Sequence, residues 1–198
     1  NQFGKIVGFG GRALGDAMPK YLNSPETILF KKGETLYGED TAIGPAYKLS
    51  QMIVTEGYID VISMQSYGYQ HCVATLGTAC TIKHIQKLWR IVDEIIFCFD
   101  GDSAGFKASE KVLNMVLPEI NNKKNVSFVL LPANSDPDDI LRKEGKKYFD
   151  ILLKKRLPLS EMIFYLKTSG KHFSSPEKKA HLEAELEEYA AQIKVDEI

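Results

Sequence analysis

Short apolar runs alternate with helical patterns from residue 52 to about residue 143. In the helical segments apolar residues recur every three or four positions, whereas the runs between them are almost continuously apolar. The runs predict strands at 52–56, 71–76, 94–99 and 126–131, and the periodic segments predict helices at 58–67, 81–92, 103–117 and from 136 onward. Because such strands are typical of sheets covered on both faces, we predict an α/β fold with a mostly parallel four-stranded sheet flanked by helices.

The segments on either side of this pattern have a different character. Residues 3–38 are rich in glycine and β-forming residues, so we expect short strands and tight loops there. The stretch 39–50 is polar and marked by glycine and proline, which indicates a boundary, and about 146–195 is helical. The predicted division, α+β overall, is a small β-rich N-terminal subdomain (1–50), a central α/β domain (51–145) and a C-terminal helical subdomain (146–198).

Length and composition are those of an ordinary folded protein. The chain has 198 residues, of which 44% are hydrophobic and 26% charged. No apolar run approaches the ~20 residues of a membrane span and no secretory signal opens the chain, so we expect a cytoplasmic protein without membrane contact. Residue 1 is Asn and not Met, so we expect a fragment of a longer protein. Cys72, Cys80 and Cys98 lack metal-ligand spacing and favour buried, reduced thiols.

Charge is balanced overall but unevenly distributed. The 25 Lys and Arg against 26 Asp and Glu give a net charge of -1. Residues 1–36 carry five basic and three acidic side chains, whereas residues 173–198 carry three basic and seven acidic ones. A polyanion is therefore expected to bind toward the N-terminal half. Lys83, Lys87 and Arg90 share one face of a predicted helix, which we interpret as a solvated face in preference to a DNA track.

Carboxylates follow three of the four predicted strands. The first strand ends at Glu56, the third ends at Asp100 with Asp102 close behind, and Asp136 follows the fourth within a few residues. In open parallel sheets the carboxyl ends of the strands meet at one edge, where ligands bind. Crowded carboxylates repel one another unless a cation lies between them, and oxygen ligands without His or Cys select Mg²⁺ or Mn²⁺ over zinc. The sequence therefore predicts a divalent-metal site at this edge.

Each of these acids also has a structural interpretation. Asp102 could cap the helix that begins at residue 103, and Asp136, followed by Pro137, has the pattern of an N-cap. Asp60 lies one helical turn beyond Glu56 and could be a solvated acid of the first turn. Because all of them lie at the same edge of one sheet, the metal site is the favoured interpretation.

The acidic motifs have a known counterpart. The segment EGYIDVI, followed after two βα units by FDGDSAG, resembles the Toprim signature of topoisomerases and primases. The segments GFGGRALGDAMPKYLNSPET, FKKGETLYG, ATLGTACT and DPDDILRKEG resemble, in order and spacing, the catalytic core of the bacterial replicative primases of the DnaG type. This resemblance covers essentially the whole chain. It implies a Toprim-like fold and a DNA-dependent RNA polymerase that makes short RNA primers for DNA replication by metal-dependent nucleotidyl transfer.

The resemblance also implies roles for individual residues. The catalytic, metal-binding acids of the family match Glu56, Asp100 and Asp102, and the further metal-binding acids of the same pocket match Asp60, Asp136 and Asp138. Positions that contact template or nucleotide in the family match Arg12, Lys20, Asn23, Lys32, Gly77 and Thr78.

Cofactors and partners follow from the same resemblance. It implies Mg²⁺ or Mn²⁺, a single-stranded DNA template, ribonucleoside triphosphates and an RNA primer, for a monomeric protein at the replication fork in the bacterial cytoplasm. Zinc and the replicative helicase bind the family through domains that we expect to lie outside this segment.

Three other functions share part of the pattern. A D-x-D after an apolar strand also marks haloacid-dehalogenase-type phosphatases, but there it follows the first strand of the core and Glu56 would have no role. A Toprim nuclease or topoisomerase module would carry the same acids, although a topoisomerase also needs a strand-passing tyrosine domain that no region obviously supplies. A non-catalytic nucleic-acid-binding module would not need this many acids. Template-dependent incorporation of ribonucleotides distinguishes these functions.

Overall fold

The computed structural model describes residues 1–13, 18, 21–77 and 79–193 of the chain. Two short N-terminal strands come first, β1 (Gly10–Arg12) and β2 (Tyr21–Asn23). The later strands are β3 (Gln51–Thr55), β4 (Cys72–Ala74), β5 (Glu94–Phe97), β6 (Asn125–Phe128) and β7 (Leu157–Pro158). The helices are α1 (Glu39–Leu49), α2 (Tyr58–Ser66), α3 (Ile82–Trp89), α4 (Ser103–Val116), α5 (Pro137–Lys143), α6 (Gly145–Lys154), α7 (Leu159–Thr168) and α8 (Pro176–Ala190).

Strands β3 to β7 form a five-stranded sheet in the order β4-β3-β5-β6-β7. The first four of these are mutually parallel, and Ile53 pairs with both Cys72 of β4 and Ile96 of β5. The predicted mostly parallel α/β sheet is therefore confirmed, but the predicted number of four strands is wrong. The fifth strand, β7, is two residues long and antiparallel to β6. A segment this short has no alternating pattern that a sequence could reveal.

Helices cover both faces of the sheet, as the continuously apolar strands predict. On one face the buried side chains of Met52, Val54 and Phe97 belong to a core that includes residues of α1, α3, α4 and α7. On the other face Ile53 and Ile96 belong to a core that includes residues of α2, α5 and α6. The three cysteines are free and buried. No helix in the described ranges is long and apolar enough to cross a membrane.

Helix α1 occupies the stretch that the sequence marks as a boundary. Glycine and proline disfavour helix interiors, yet Pro45 lies inside this helix. Ala42 and Ala46 are fully buried on its inner face and bring the helix close to the sheet. Tertiary packing therefore overrides the local preference. The division of the chain into three subdomains stays a prediction.

The amino ends of the strands are joined by one carboxylate, that of Glu94 at the start of β5. Arg156 donates to it from Nε and Nη2, at 2.8 and 3.0 Å. Ser127 Oγ and Gln51 Nε2 each donate to it at 2.7 Å. Burial raises the pKa of Glu94, but these hydrogen bonds outweigh burial and lower the pKa below its usual value. Arg156 thus fixes the segment between α6 and β7 to the central sheet.

Candidate active site at the carboxyl edge of the sheet

The acids that end β3 and β5 lie next to each other because their strands are paired. Val54 of β3 pairs with Phe97 of β5 in parallel register, so the residues that follow both strands leave the sheet side by side. The backbone N–H of Asp100 donates to Glu56 Oε1 at 3.3 Å. The prediction that acids converge at strand ends therefore has a direct structural basis for this pair.

The loop after β6 is joined to the loop after β5 through Gly101. Its N–H donates to the Ser135 carbonyl and its own carbonyl accepts from the Asn134 N–H, both at 2.8 Å. A Cβ atom on Gly101 would lie 2.1 Å from the Pro132 carbonyl oxygen, so only glycine allows this approach. These bonds bring the segment that carries Asp136 to the acids of the other two strands.

Asp102 and Asp136 are helix N-caps, as their sequence context predicts. Asp102 Oδ1 accepts from the N–H groups of Ala104 and Gly105, each at 2.8 Å, at the start of α4. Asp136 Oδ1 accepts from the Asp139 N–H at 2.7 Å, at the start of α5. Among the described residues, neither acid uses its second carboxylate oxygen in a hydrogen bond. The capping role and a metal-binding role are therefore compatible.

Burial and mutual repulsion disfavour the charged forms of three acids. Burial raises the pKa of Asp100 to about 7, and the charges of Glu56, Asp136 and Asp102 add to the effect. Burial also raises the pKa of Asp60 to about 7, with further repulsion from Asp136 and Asp100. The pKa of Glu56 is raised by burial and by Asp102. Such a cluster is stabilised by a cation.

Asp138 differs from the other predicted acids. Its carboxylate accepts a hydrogen bond from Arg142 Nε at 2.8 Å, one turn further along α5. Its backbone lowers the pKa of Asp60 through a hydrogen bond. The structure therefore brings Asp138 to the edge of the site, where its carboxylate is paired with a cation of its own helix.

The carboxylate oxygens of these acids are the kind of ligand that a hard divalent cation takes. Asp100 Oδ1 is buried and has no hydrogen-bond partner in the described part of the chain. Within those same residues, no group of three or more His, Cys, Asp or Glu side chains could hold a metal ion as it stands. Mg²⁺ usually takes one or two protein carboxylates and completes its shell with waters and substrate phosphates. The arrangement therefore fits an ion held in part by substrate.

Asn23, one of the predicted nucleic-acid contacts, is bound to the loop that follows β4 at this edge of the sheet. On β2, its Nδ2 donates to the Leu76 carbonyl at 3.0 Å, while its Oδ1 is buried without a partner among the described residues. Gly77 has a φ of +67°, and a Cβ there would lie 2.9 Å from Asn23 Nδ2. The guanidinium of Arg12 lies 5.5 Å from the ring centroid of Tyr21. The predicted contacts Lys20 and Thr78 lie outside the described residues.

An aromatic residue that the sequence pattern did not single out also lies here. Tyr58, the first residue of α2, packs edge-on against Tyr21 with ring centroids 5.7 Å apart. Its ring also contacts Tyr37, again at 5.7 Å. Its hydroxyl is buried and has no hydrogen-bond partner among the residues described. The sequence feature that could have singled out Tyr58 is its position directly after the strand-end segment Glu56-Gly57.

Comparisons with known proteins define first a class and then a family. Residues 53–141 match the Toprim-like family, and residues 1–43 match the DNA primase catalytic core, N-terminal domain. The chain is 52% identical over 193 residues to the DNA primase of Rickettsia felis, covering 98% of this chain and 32% of that protein. The chain belongs to the DnaG-type primase family. It spans about a third of the length of the curated relatives it matches.

Solved structures agree with this assignment. A DNA primase domain from Pseudomonas aeruginosa has a TM-score of 0.90 and 42% identity, covering 99% of this chain and 61% of that one. The DnaG primase catalytic domain bound to single-stranded DNA has a TM-score of 0.87 and 39% identity, covering 98% of this chain and 62% of that one. The predicted family and fold class are confirmed, and the general Toprim nuclease or topoisomerase alternative is not favoured.

Proposed function

We propose that this chain is part of the catalytic core of a DNA-dependent RNA polymerase that makes short RNA primers. The observation that carries the proposal is the convergence of acids from three strand ends, with the pKa of Asp100 raised to about 7 by burial and by its acidic neighbours. The relatives named DNA primase support the same function. Relatives of that name also support a site of action at the bacterial replication fork.

The metal-binding acids of this proposal are those that the sequence predicts: Glu56, Asp60, Asp100, Asp102, Asp136 and Asp138. Bound Mg²⁺ or Mn²⁺ would lower the pKa of a primer hydroxyl and neutralise charge that develops on phosphate oxygens. The protein's own contribution is orientation. Helix capping fixes Asp102 and Asp136 through one carboxylate oxygen each, which leaves the other oxygen for a ligand. Asp138 accepts from Arg142 through Oδ1, which leaves its Oδ2 for a ligand.

Template and nucleotide would contact the N-terminal subdomain and the loop after β4. The residues proposed for these contacts are Arg12, Lys20, Asn23, Lys32, Gly77 and Thr78. Fixed cations there attract phosphates, whereas phosphates are repelled by the acids until a cation is bound. The single-stranded DNA bound to the related DnaG catalytic domain supports a DNA template. Ribonucleoside triphosphates are the proposed substrates, and an RNA primer is the proposed product.

The test is incorporation of labelled ribonucleotides on a single-stranded DNA template, in the natural protein that contains this chain, with Mg²⁺ or Mn²⁺. We expect template-dependent synthesis that stops when the metal is chelated and in the Asp100→Ala variant. Synthesis at the normal rate by Asp100→Ala would contradict the assignment of the acidic site. Phosphate release without polymerisation would favour a D-x-D phosphatase instead.

A further inference from the structure

Helix α3 binds the turn at residues 31–34 through a row of side chains. Three consecutive carbonyl groups of the turn accept hydrogen bonds from this helix or its N-cap. The pairs are His84 Nε2 with the Lys32 carbonyl at 3.0 Å, Thr81 Oγ1 with the Gly33 carbonyl at 2.6 Å, and Lys87 Nζ with the Glu34 carbonyl at 3.2 Å. Lys83 adds an ion pair with the Glu34 carboxylate at 2.7 Å. The turn is therefore fixed to α3 residue by residue.

This arrangement corrects the interpretation of the basic face of α3. Lys87 is not a solvated residue, because it binds the turn and forms an ion pair with the buried carboxylate of Glu39. Lys83 is exposed but paired with Glu34. Lys83 and Arg90 are both exposed and keep the solvated character that the sequence suggested, so the correction applies to Lys87.

His84 is the buried member of the row, with 0% of its surface exposed. Its Nδ1 lies 3.2 Å from the backbone nitrogen of Thr81, which can only donate, so Nδ1 must accept. The ring proton is then on Nε2, which donates to the Lys32 carbonyl. Neutral His84 thus uses both ring nitrogens in directional bonds, which an apolar core residue could not supply.

Lys32 is held from its other side as well. Its backbone N–H donates to Glu26 Oε1 at 2.9 Å, so both its N–H and its carbonyl are engaged. Its ammonium group, by contrast, has neither a hydrogen bond nor an ion pair with any residue the structure describes. The fold therefore fixes the backbone of Lys32 and leaves its charge available.

We propose that His84 is a positioning residue for nucleic-acid or triphosphate binding, acting through Lys32. This inference rests on the proposed function, in which Lys32 contacts phosphate. Binding also has to order the backbone that carries a contacting side chain, so a Lys32 backbone that is already fixed lowers the entropic cost of its phosphate contact. Gly77, which is also proposed to contact nucleotide, lies four residues before Thr81, the N-cap of α3 that binds the Gly33 carbonyl.

The test compares two substitutions that keep different bonds of His84. His84→Asn keeps an acceptor near the position of Nδ1 and loses the donor to Lys32, whereas His84→Gln can place an amide donor toward the Lys32 carbonyl. We expect His84→Asn to weaken single-stranded DNA binding, or raise the KM for ribonucleotide, by about five-fold with kcat unchanged. His84→Gln should restore most of this loss. Ser175→Ala, which removes the N-cap bond of α8, is the matched control and should change neither quantity.

A double-mutant cycle with Lys32→Ala separates positioning from a general structural role. If His84 acts through Lys32, His84→Asn has no further effect on binding in the Lys32→Ala background. Equal losses in both backgrounds would overturn the proposal while leaving the Lys32 contact intact. Unchanged binding by Lys32→Ala alone would overturn both the contact and the proposal. Should His84→Asn fail to fold, Thr81→Val removes the neighbouring bond to Gly33 and must show the same non-additivity.

Discussion

The backbone N–H of Asp100 donates to the carboxylate of Glu56 at 3.3 Å, which joins the ends of two paired strands. The same contact holds two carboxylates near each other in a partly buried site. The charge of Glu56 is one reason that the pKa of Asp100 is raised to about 7, after burial itself. The fold therefore tolerates electrostatic repulsion at this edge, a pattern typical of functional sites that await a cation.

Replacing Asp100 should therefore separate activity from stability. We expect Asp100→Asn to lower primer synthesis by about 10²-fold or more, because a neutral amide cannot replace the charge of the carboxylate at the metal. Without metal, the variant should be at least as stable as the original protein, because repulsion with Glu56 is removed. Primer synthesis and thermal unfolding in chelator measure the two effects.

Stabilisation by bound metal is an independent measurement on the Asp100→Asn variant. Mg²⁺ or Mn²⁺ at about 100 times its Kd should stabilise the original protein by about 2.7 kcal/mol, and Asp100→Asn should lose most of this gain. Asp93→Asn is the matched control, since Asp93 is an exposed acid at the amino end of β5. An equal stabilisation by metal in Asp100→Asn would contradict the proposed site.

Asp136 should show its two roles when different side chains replace it. Asp136→Asn keeps the oxygen that caps α5, so we expect a nearly unchanged Tm but lower activity, with part of the loss recovered at high Mn²⁺. Asp136→Ala removes the cap as well and should cost about 1 kcal/mol of stability. Full activity of Asp136→Asn at limiting Mg²⁺ would make the residue a cap only.

Local patterns in the sequence predict the four parallel strands, the helices between them and the caps at Thr81, Asp102 and Asp136. These features depend on residues within one turn or one strand. Because parallel strands have their carboxyl ends together, the acids that follow these strands are expected at one edge of the sheet. Fold and approximate site follow from such short-range information.

Other features depend on partners far apart in the chain. Helix α1 forms despite Pro45 because its alanines pack against the sheet, which no local pattern encodes. Lys87 has the spacing of a solvated cation, yet it binds a turn more than fifty positions earlier. Arg156 likewise binds Glu94, which lies 62 positions earlier in the chain, and no local pattern predicts this contact. Sequence periodicity reports which face is apolar, but it does not report which polar groups meet.

The cations Arg12, Lys20 and Lys32 should control the salt dependence of DNA binding. We expect Arg12→Ala, Lys20→Ala and Lys32→Ala together to flatten the log–log slope by about 0.7 for each phosphate that is no longer neutralised. The measurement is the affinity for a single-stranded oligonucleotide over a range of salt concentrations. As control, alanine replaces an equal number of exposed lysines near the C-terminus: Lys171, Lys178 and Lys179. An unchanged slope in the first variant would assign its residues to the solvated surface.

The Glu94–Arg156 pair should matter for stability and not for chemistry, because it lies at the amino edge of the sheet. Arg156→Met leaves a largely buried carboxylate without its main partner, so we expect a loss of about 2 kcal/mol at neutral pH. The lowered pKa of Glu94 means that this stability is present above the usual glutamate pKa and is lost as pH falls through the lower, folded value.

Urea unfolding of Arg156→Met and of the Glu94→Gln/Arg156→Met pair measures this contribution. The double variant should recover part of the loss, since no charge is then left unpaired. Equal stability of Arg156→Met and the original protein at neutral pH would show that the pair contributes nothing.

His84 should add a pH dependence of the opposite sense to that of the acidic site. Burial lowers the pKa of His84 and the nearby Lys87 lowers it further, while the carbonyls of Lys32 and Thr35 and the charge of Glu34 raise it. The folded state therefore keeps His84 neutral when the unfolded chain binds a proton, near pH 6.5. Stability is complete above that pH and falls as pH decreases, by at most about 1.4 kcal/mol per pH unit.

Asp60 and Asp100 change stability in the other direction in metal-free protein. Their raised pKa values mean that the folded state binds protons more readily than the unfolded state, so these acids favour folding as pH falls. The pH dependence of the free energy of unfolding is therefore a sum of opposing contributions. Only the difference in this free energy between the original protein and His84→Gln isolates the contribution of the histidine. We expect that difference to shrink from about pH 7.5 to pH 5.5 as the original protein loses its advantage. A constant difference over this range would show that His84 takes up its proton as readily in the folded state as in the unfolded chain.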